Sequence, residues 1–391
     1  LDGLPLAIAQ AGVFLQESGT GIKAYLGFYE RQWSDLMKST HLTGAPLQDY
    51  PERSVWTTWA ISYQAIYKKH EHTAKLLLLW SFLDNKNLWY GLFREACSKS
   101  EVAARMLSKW IGKIASSELA FSHAMQLLRN YSLVEVVKDT AGYAIHPVVH
   151  RWAYHYQRKQ YKLELSQLAV IVVGFAAPEK TRRDYSTLQR QLVPHTHACS
   201  RWILKEEEEQ GNEITDGYKQ SERSEIGLEG TEKREALFDA IESLSSLYAD
   251  QSKLVEAEQM YKQALQGKKE AFGSTHPSTL DTVNNLGALY ARQKEYTRAQ
   301  EAYMNALTGY QAISGPHHSI CLKISARIDK IATYPPVKSE ESVSQLSTGP
   351  GIAGSSNENN TDVNDINQSA NDKKGKESLG TILRRLAEKF R

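Results

Sequence analysis

Two histidines four residues apart, His146 and His150 in I-H-P-V-V-H-R-W-A, are the side chains best placed by type and spacing to do chemistry. A histidine can set a neutral or cationic imidazole against phosphate oxygens, and its charge then responds to that contact. His146 can equally sit beside the start of the helix that Pro147 opens, with no ligand at all, because proline fits a first helical position. The i, i+4 spacing is also that of zinc-binding H-E-x-x-H. Pro147 stands where the catalytic Glu would be and no third ligand is apparent, so no metal is expected. No G-x-x-x-x-G-K-[ST] phosphate loop, no G-x-S-x-G elbow and no Cys and His dyad occurs, so the chain is not expected to be an enzyme.

The elements that must position these histidines are a hairpin and the helices before it. Ser132 to Val137 alternates and is β-branched, Asp139 to Gly142 supplies turn chemistry, and Tyr143 to Ile145 is the return strand. Helical runs precede it at about 73 to 84, 88 to 97, 101 to 115 and 118 to 130, which is the order of a winged helix. Upstream, V-W-T-T-W-A-I-S-Y-Q-A-I places Trp56, Trp59, Ala60, Tyr63, Ile66 and Tyr67 on one face that should be buried. Residues 1 to 40 read as helix, loop, helix, with Pro5 at a start and Gly19 to Gly21 as a breaker. His70 and His72, beside Lys68 and Lys69, read as an exposed turn between helices. A DNA-reading winged helix needs a basic recognition helix, and E-L-A-F-S-H-A-M-Q-L-L-R-N offers only His123 and Arg129, so nucleic acid is not an expected partner.

Length and composition fit a soluble, mainly α protein of several domains. The 391 residues carry a net charge of +2, which gives little pull toward nucleic acid or acidic membrane. Cys97, Cys199 and Cys321 have neither pairing nor metal-ligand spacing, so reduced thiols in the cytoplasm are expected. The apolar runs Leu76 to Leu83 and Leu168 to Ala177 are too short to span a bilayer. Residues 147 to 204 read as helical, broken around Pro178 and Pro194, with 157 to 204 a helical linker or degenerate repeat. Residues 205 to 230 have almost nothing to bury and read as a disordered acidic insertion.

From residue 232 a shift of 42 aligns Leu244 with Leu286, Tyr248 with Tyr290, Ala257 with Ala299, Tyr261 with Tyr303 and Gly273 with Gly315. Each unit is two helices whose small residues admit the neighbour closely. Residues 335 to 377 read as a disordered tail, and 378 to 391 as a short amphipathic basic helix. The first ten residues look like the inside of a domain, so a preceding region is expected.

The repeat over 232 to 334 resembles the tetratricopeptide repeat (TPR) in its 42-residue, kinesin-light-chain-like form, through H-P-S-T-L-D-T-V-N-N-L-G-A-L-Y and Y-T-R-A-Q-E-A-Y-M-N-A-L. That resemblance makes Gly287 the close-packing residue and Leu286, Tyr290, Ala299, Tyr303 and Ala306 structural. It puts Asp281, Asn284, Ala288, Ala291 and Arg292 on a concave groove that would hold a protein or peptide ligand. The opening L-D-G-L-P-L-A resembles the G-L-P-L-A segment of NB-ARC domains, the switch module of STAND-class (NLR-like) signalling ATPases, at Gly3, Leu4, Pro5, Leu6 and Ala7. I-H-P-V-V-H-R-W-A stands where such proteins carry a Met-His-Asp signature after a winged helix, and it looks most like fungal members with TPR tails. Pro147 departs from the signature Asp.

The resemblance implies a helical subdomain end at 1 to 45, a winged helix at 50 to 156 and an α-solenoid of TPR helix pairs. It further implies that Pro5 packs against an adenine and that His146 contacts the β-phosphate of ADP. These contacts, the ADP or ATP with Mg, and oligomerisation would all belong to a full-length parent. On this reading the segment is the regulatory and sensor portion of an innate-immunity or non-self-recognition switch. The alternative is a stand-alone TPR adaptor.

Overall fold

The computed structural model describes residues 5–38, 50–138, 142–157, 159–204 and 228–333. The chain divides into two units, Leu1–Lys338 and Ser339–Arg391, and the described residues belong to the first. The expected tail at 335 to 377, the basic helix at 378 to 391 and most of the insertion at 205 to 230 lie outside them. Among the described residues the fold is mainly α, as the periodicities required.

Helices α1 (Pro5–Ser18) and α2 (Ile22–Lys38) are joined through Gly19, whose φ of +63° suits a residue without a Cβ. Helix α3 (Tyr50–Lys69) buries Trp56, Trp59, Ala60, Tyr63 and Ile66 as its spacing demands. Tyr67 departs from that face. It is exposed and donates its hydroxyl hydrogen bond to Glu71 at 3.0 Å.

The winged helix comprises α4 (Glu71–Trp80), α5 (Tyr90–Lys99), α6 (Glu101–Ile111), α7 (Glu118–Asn130) and the antiparallel pair β1 (Val134–Val136) and β2 (Tyr143–Ile145). Side chains of Ser100 and Ser117 cap α6 and α7 by accepting from the Ala103 and Ala120 amides. The end of α7 is a Schellman turn: Leu133 N–H donates to the Leu128 carbonyl and Ser132 takes φ +53°. One element escaped the sequence reading, which put helix at Leu88. Leu88 and Tyr143 exchange both backbone hydrogen bonds, at 2.9 and 2.8 Å, so β2 lies between β1 and a third short strand position.

Helix α8 (Pro147–Tyr156) leaves the hairpin, and α9 (Lys159–Phe175) and α10 (Tyr185–Leu204) follow. The break at Pro178 is observed, but Pro194 sits inside an unbroken α10. Buried neighbours on both sides, Leu192, His195, Thr196, Ala198 and Cys199, carry the helix through a residue that cannot donate. The repeats are α11 (Leu228–Asp250), α12 (Leu254–Phe272), α13 (Pro277–Arg292), α14 (Tyr296–Ser314) and α15 (Ser319–Ala332). Helix α11 begins inside the segment read as insertion, so residues 228 to 230 belong to the repeat. Ala257, Ala299 and Ala306 are fully buried, and a Cβ on Gly287 would meet the Tyr303 ring at 2.8 Å. The same register recurs at Gly267 against Phe238 and Gly309 against Leu280, one repeat apart.

Helix α9 joins the two halves. Leu165 to Val173 is buried without interruption, because α5 and α6 cover one side and α11 the other. Gly174 lets α11 in: a Cβ there would lie 2.5 Å from the Ala240 Cα and carbonyl oxygen. Gly174→Ala should therefore destabilise the chain by about 1–3 kcal/mol, since backbone cannot swing aside as a side chain can. Gly12→Ala, exposed in α1 with nothing within 4 Å, should stabilise it by about 0.4–1 kcal/mol. Thermal and urea denaturation of both variants measure the contrast.

Candidate functional site

Leu6 and His146, 140 residues apart in the chain, line one concavity of about 660 Å³. Helix α1 supplies Leu6 and Gln10, the last turn of α7 supplies Gln126, Arg129 and Asn130, and the hairpin supplies Ser132 to Val136 and His146. A buried contact fixes this arrangement. Gln10 donates from Nε2 to the Tyr131 carbonyl at 2.7 Å and to Ser62 Oγ at 3.2 Å, so α1 is tied to the end of α7 and to α3 together. Phe14 packs on Tyr131 and Tyr25 around that tie. Gly3 and Leu4 lie outside the described residues, and Pro5 is the exposed first residue of α1.

His146 is the N-cap of α8: Val148 N–H donates to its Nδ1 at 3.3 Å. A nitrogen that accepts carries no proton, so the proton of the neutral ring is on Nε2. The cap and an anion contact therefore use different nitrogens and can coexist. Arg129 has no hydrogen-bond or ion-pair partner among the described residues, which leaves its guanidinium free to face the concavity. Glu135 on β1 sets one negative charge on the same rim. By sequence Arg129 reads only as a possible base contact in a recognition helix. Its proximity to His146 depends on α7 and the hairpin folding back on each other, which only the paired strands impose.

His150 does not join this site. Its Nε2–H donates to the Trp80 and Leu83 carbonyls at 3.1 and 3.0 Å, and burial pushes its pKa down. It ties α8 to the end of α4. His195 is likewise committed, accepting at Nδ1 from the Asp84 amide, and burial pushes its pKa down to about 4. His70 is exposed in the turn between α3 and α4, as expected, and caps α4 through Thr73 N–H, while the half-buried His72 packs on Gly112. His276 and His318 cap α13 and α15 as His146 caps α8.

On the repeats, the expected groove residues are partnered. Asp281 accepts from the Tyr310 hydroxyl at 2.6 Å, which closes α13 on α14. Asn284 accepts from Arg327 at 2.8 Å and Arg292 donates to Asp250 at 3.0 Å, so both link successive first helices of the stack. Ala288 and Ala291 lie half-buried between them. Shifting by 42 puts Asp239 on Asp281 and Lys268 on Tyr310, and the first repeat closes with an ion pair where the second uses a phenol. Lys268 is 1% exposed and meets Asp239 at 2.7 Å and Glu242 at 2.9 Å. Burial pushes the Glu242 carboxyl up to about 7 against the pull of Lys268, and Thr282 donates to it as well.

His146→Ala should cost about 1 kcal/mol through the lost cap, while His146→Ser, which keeps an acceptor, should cost far less. Lys268→Ala leaves two carboxylates without their buried counter-charge and should cost about 3–5 kcal/mol. Denaturant midpoints of the three variants test both statements.

A tetratricopeptide repeat family model matches residues 238–320. A nucleotide-binding leucine-rich repeat (NLR)-like protein of Hyaloscypha variabilis, a fungus, is 23% identical over 292 residues, which cover 72% of this chain and 24% of that protein. The chain thus spans less than a third of that relative's length. A crystal structure of BtubC (BKLC) from P. vanneervenii matches with a TM-score of 0.20 and 16% identity, covering 66% of this chain and 99% of that one, and a score of that size carries no argument. Residues 238–320 are tetratricopeptide repeats, and the chain carrying them is similar over most of its length to a fungal NLR-like protein.

Proposed function

We propose that this segment is the regulatory and sensor portion of a STAND-class, nucleotide-dependent signalling switch, with its repeats as the receptor for a protein or peptide ligand. The observation that carries the reading is the concavity that brings Leu6, Arg129 and His146 together, since the first and last were singled out by separate motifs. The residues present fit one edge of a nucleotide. A bound ADP supplies phosphate oxygens, which are hydrogen-bond acceptors of negative charge. His146 Nε2–H and the Arg129 guanidinium are donors suited to them, and Leu6 offers an apolar contact beside them. The phosphate loop and magnesium ligands such a switch needs are absent from the sequence motifs, so nucleotide turnover is assigned to a longer parent protein and not to this segment.

A ligand on the repeats acts by binding one state of the switch more tightly than the other. The cross-helix pairs Asn284–Arg327 and Asp250–Arg292 are what an extended peptide would exchange for its own backbone and side-chain contacts.

In the parent protein, Arg129→Ala and His146→Ser should each weaken ADP binding at least about tenfold, as expected for the loss of one charge-assisted hydrogen bond. Calorimetry with ADP provides the measurement, and His146→Ser keeps the helix cap so that folding is not the cause. Unchanged affinity in both variants would sink the nucleotide reading. If the repeats captured their ligand equally well with and without ADP, the segment would be an adaptor, because coupling between two sites is reciprocal.

A further inference from the structure

The junction between α10 and the first repeat holds a closed chain of hydrogen bonds whose direction is fixed by chemistry. Lys253 Nζ lies 2.6 Å from His197 Nε2. An ammonium has donors only, so Nε2 accepts and the ring proton is on Nδ1. Nδ1–H then donates to the Tyr248 hydroxyl oxygen at 2.9 Å. Tyr248 in turn donates to Ser200 Oγ at 2.6 Å, and Ser200 donates to the His197 carbonyl at 3.0 Å. The ring closes on the residue where it began. It ties α10, through His197 and Ser200, to Tyr248 on α11 and to Lys253 at the start of α12.

We propose that this ring is an acid-released latch between the helical linker and the repeats. It works only while His197 is neutral. A proton on Nε2 removes the acceptor for Lys253 and sets two cations 2.6 Å apart. The other charged groups around the imidazole are Arg201 on α10, Glu256 on α12 and Asp84 beyond α4. Glu256 and Asp84 favour the proton, but burial and the neighbouring Lys253 and Arg201 outweigh them and hold the His197 pKa below the usual imidazole value.

The direction of the effect follows from linkage. An unfolded or unlatched His197 binds its proton at the ordinary pKa near 6.5, and the latched one binds it lower. The latch is therefore intact above about pH 6.5 and is weakened as pH falls below it. His195, two residues away, stays neutral in that window because burial sets it at about 4. The contact of α9 with α11 at Gly174 is glycine against alanine, so release loosens the seam of α10 with α11 while α9 stays seated.

The test uses the whole chain. Nitrogen-15 NMR of the imidazoles at pH 7.5 should show His197 with its proton on Nδ1. Hydrogen exchange of the α10 and α11 amides around 196–204 and 244–250, corrected for intrinsic rates, should quicken at least about tenfold from pH 7.5 to 5.5. His197→Gln, whose amide oxygen still accepts from Lys253, should abolish that acceleration. Lys253→Met should move the His197 titration upward, toward the ordinary value. A proton on Nε2 at neutral pH, or equal acceleration in His197→Gln and the wild type, would overturn the proposal. If His197→Gln does not fold, the direction of the His197 titration in Lys253→Met decides the question.

Discussion

A helical segment buried on every side has no solvent face, and α9 carries such a segment. From Leu165 to Val173 each residue is buried, and only layers on both sides can achieve that. The winged helix on one side and the first repeat on the other are those layers. Neither half is therefore a free-standing body with a linker between. The pair α9 and α10 serves as the first layer of the helical stack, which relieves a weakness of short repeat arrays: two units bury too little alone. Gly174 is where this constraint becomes specific, because α11 approaches closer than any side chain would permit.

Much of this was legible in the sequence, for identifiable reasons. Period-3.6 spacing fixed the buried face of α3, the turn and proline chemistry fixed the hairpin and the start of α8, and the 42-residue shift fixed the packing positions around Gly287. What escaped is what tertiary structure decides. Pro194 reads as a breaker locally, yet packing on both sides carries α10 through it. Leu88 has no strand neighbours in sequence, and it pairs only because β2 arrives 55 residues later. Register places Asp281, but not the tyrosine 29 residues on whose hydroxyl donates to its carboxylate.

The histidines show how a local pattern gains or loses chemical meaning. His146, His276 and His318 share one geometry, a cap accepting at Nδ1 from the amide two residues on. The imidazole at position 146 is thus explained structurally without any ligand. What distinguishes it from its two counterparts is its surroundings, since it alone of the three lines the concavity shared with Leu6 and Arg129. The cap orients the ring and fixes its tautomer. An oriented donor needs less ordering when an anion arrives, so the cap would assist the proposed phosphate contact rather than compete with it.

On the proposed reading, coupling between the repeats and that concavity would have a physical route and a limit. The route would run along the consecutive helices of the stack to α11, from α11 to α9, and from α9 to the α5 and α6 side of the winged helix. Close-packed interiors of this kind do not deform smoothly; they move as bodies. Contacts such as Asn284–Arg327 and Asp250–Arg292 set the angles between layers, so exchanging them for ligand contacts changes the pitch of the stack more readily than the shape of any one helix pair. The limit is energetic. Moving a two-state switch from 1:99 to 99:1 takes a differential affinity of about 5.5 kcal/mol, more than one or two exposed polar pairs contribute. A ligand that threw the proposed switch would therefore have to engage apolar surface as well, or several such pairs along the stack at once.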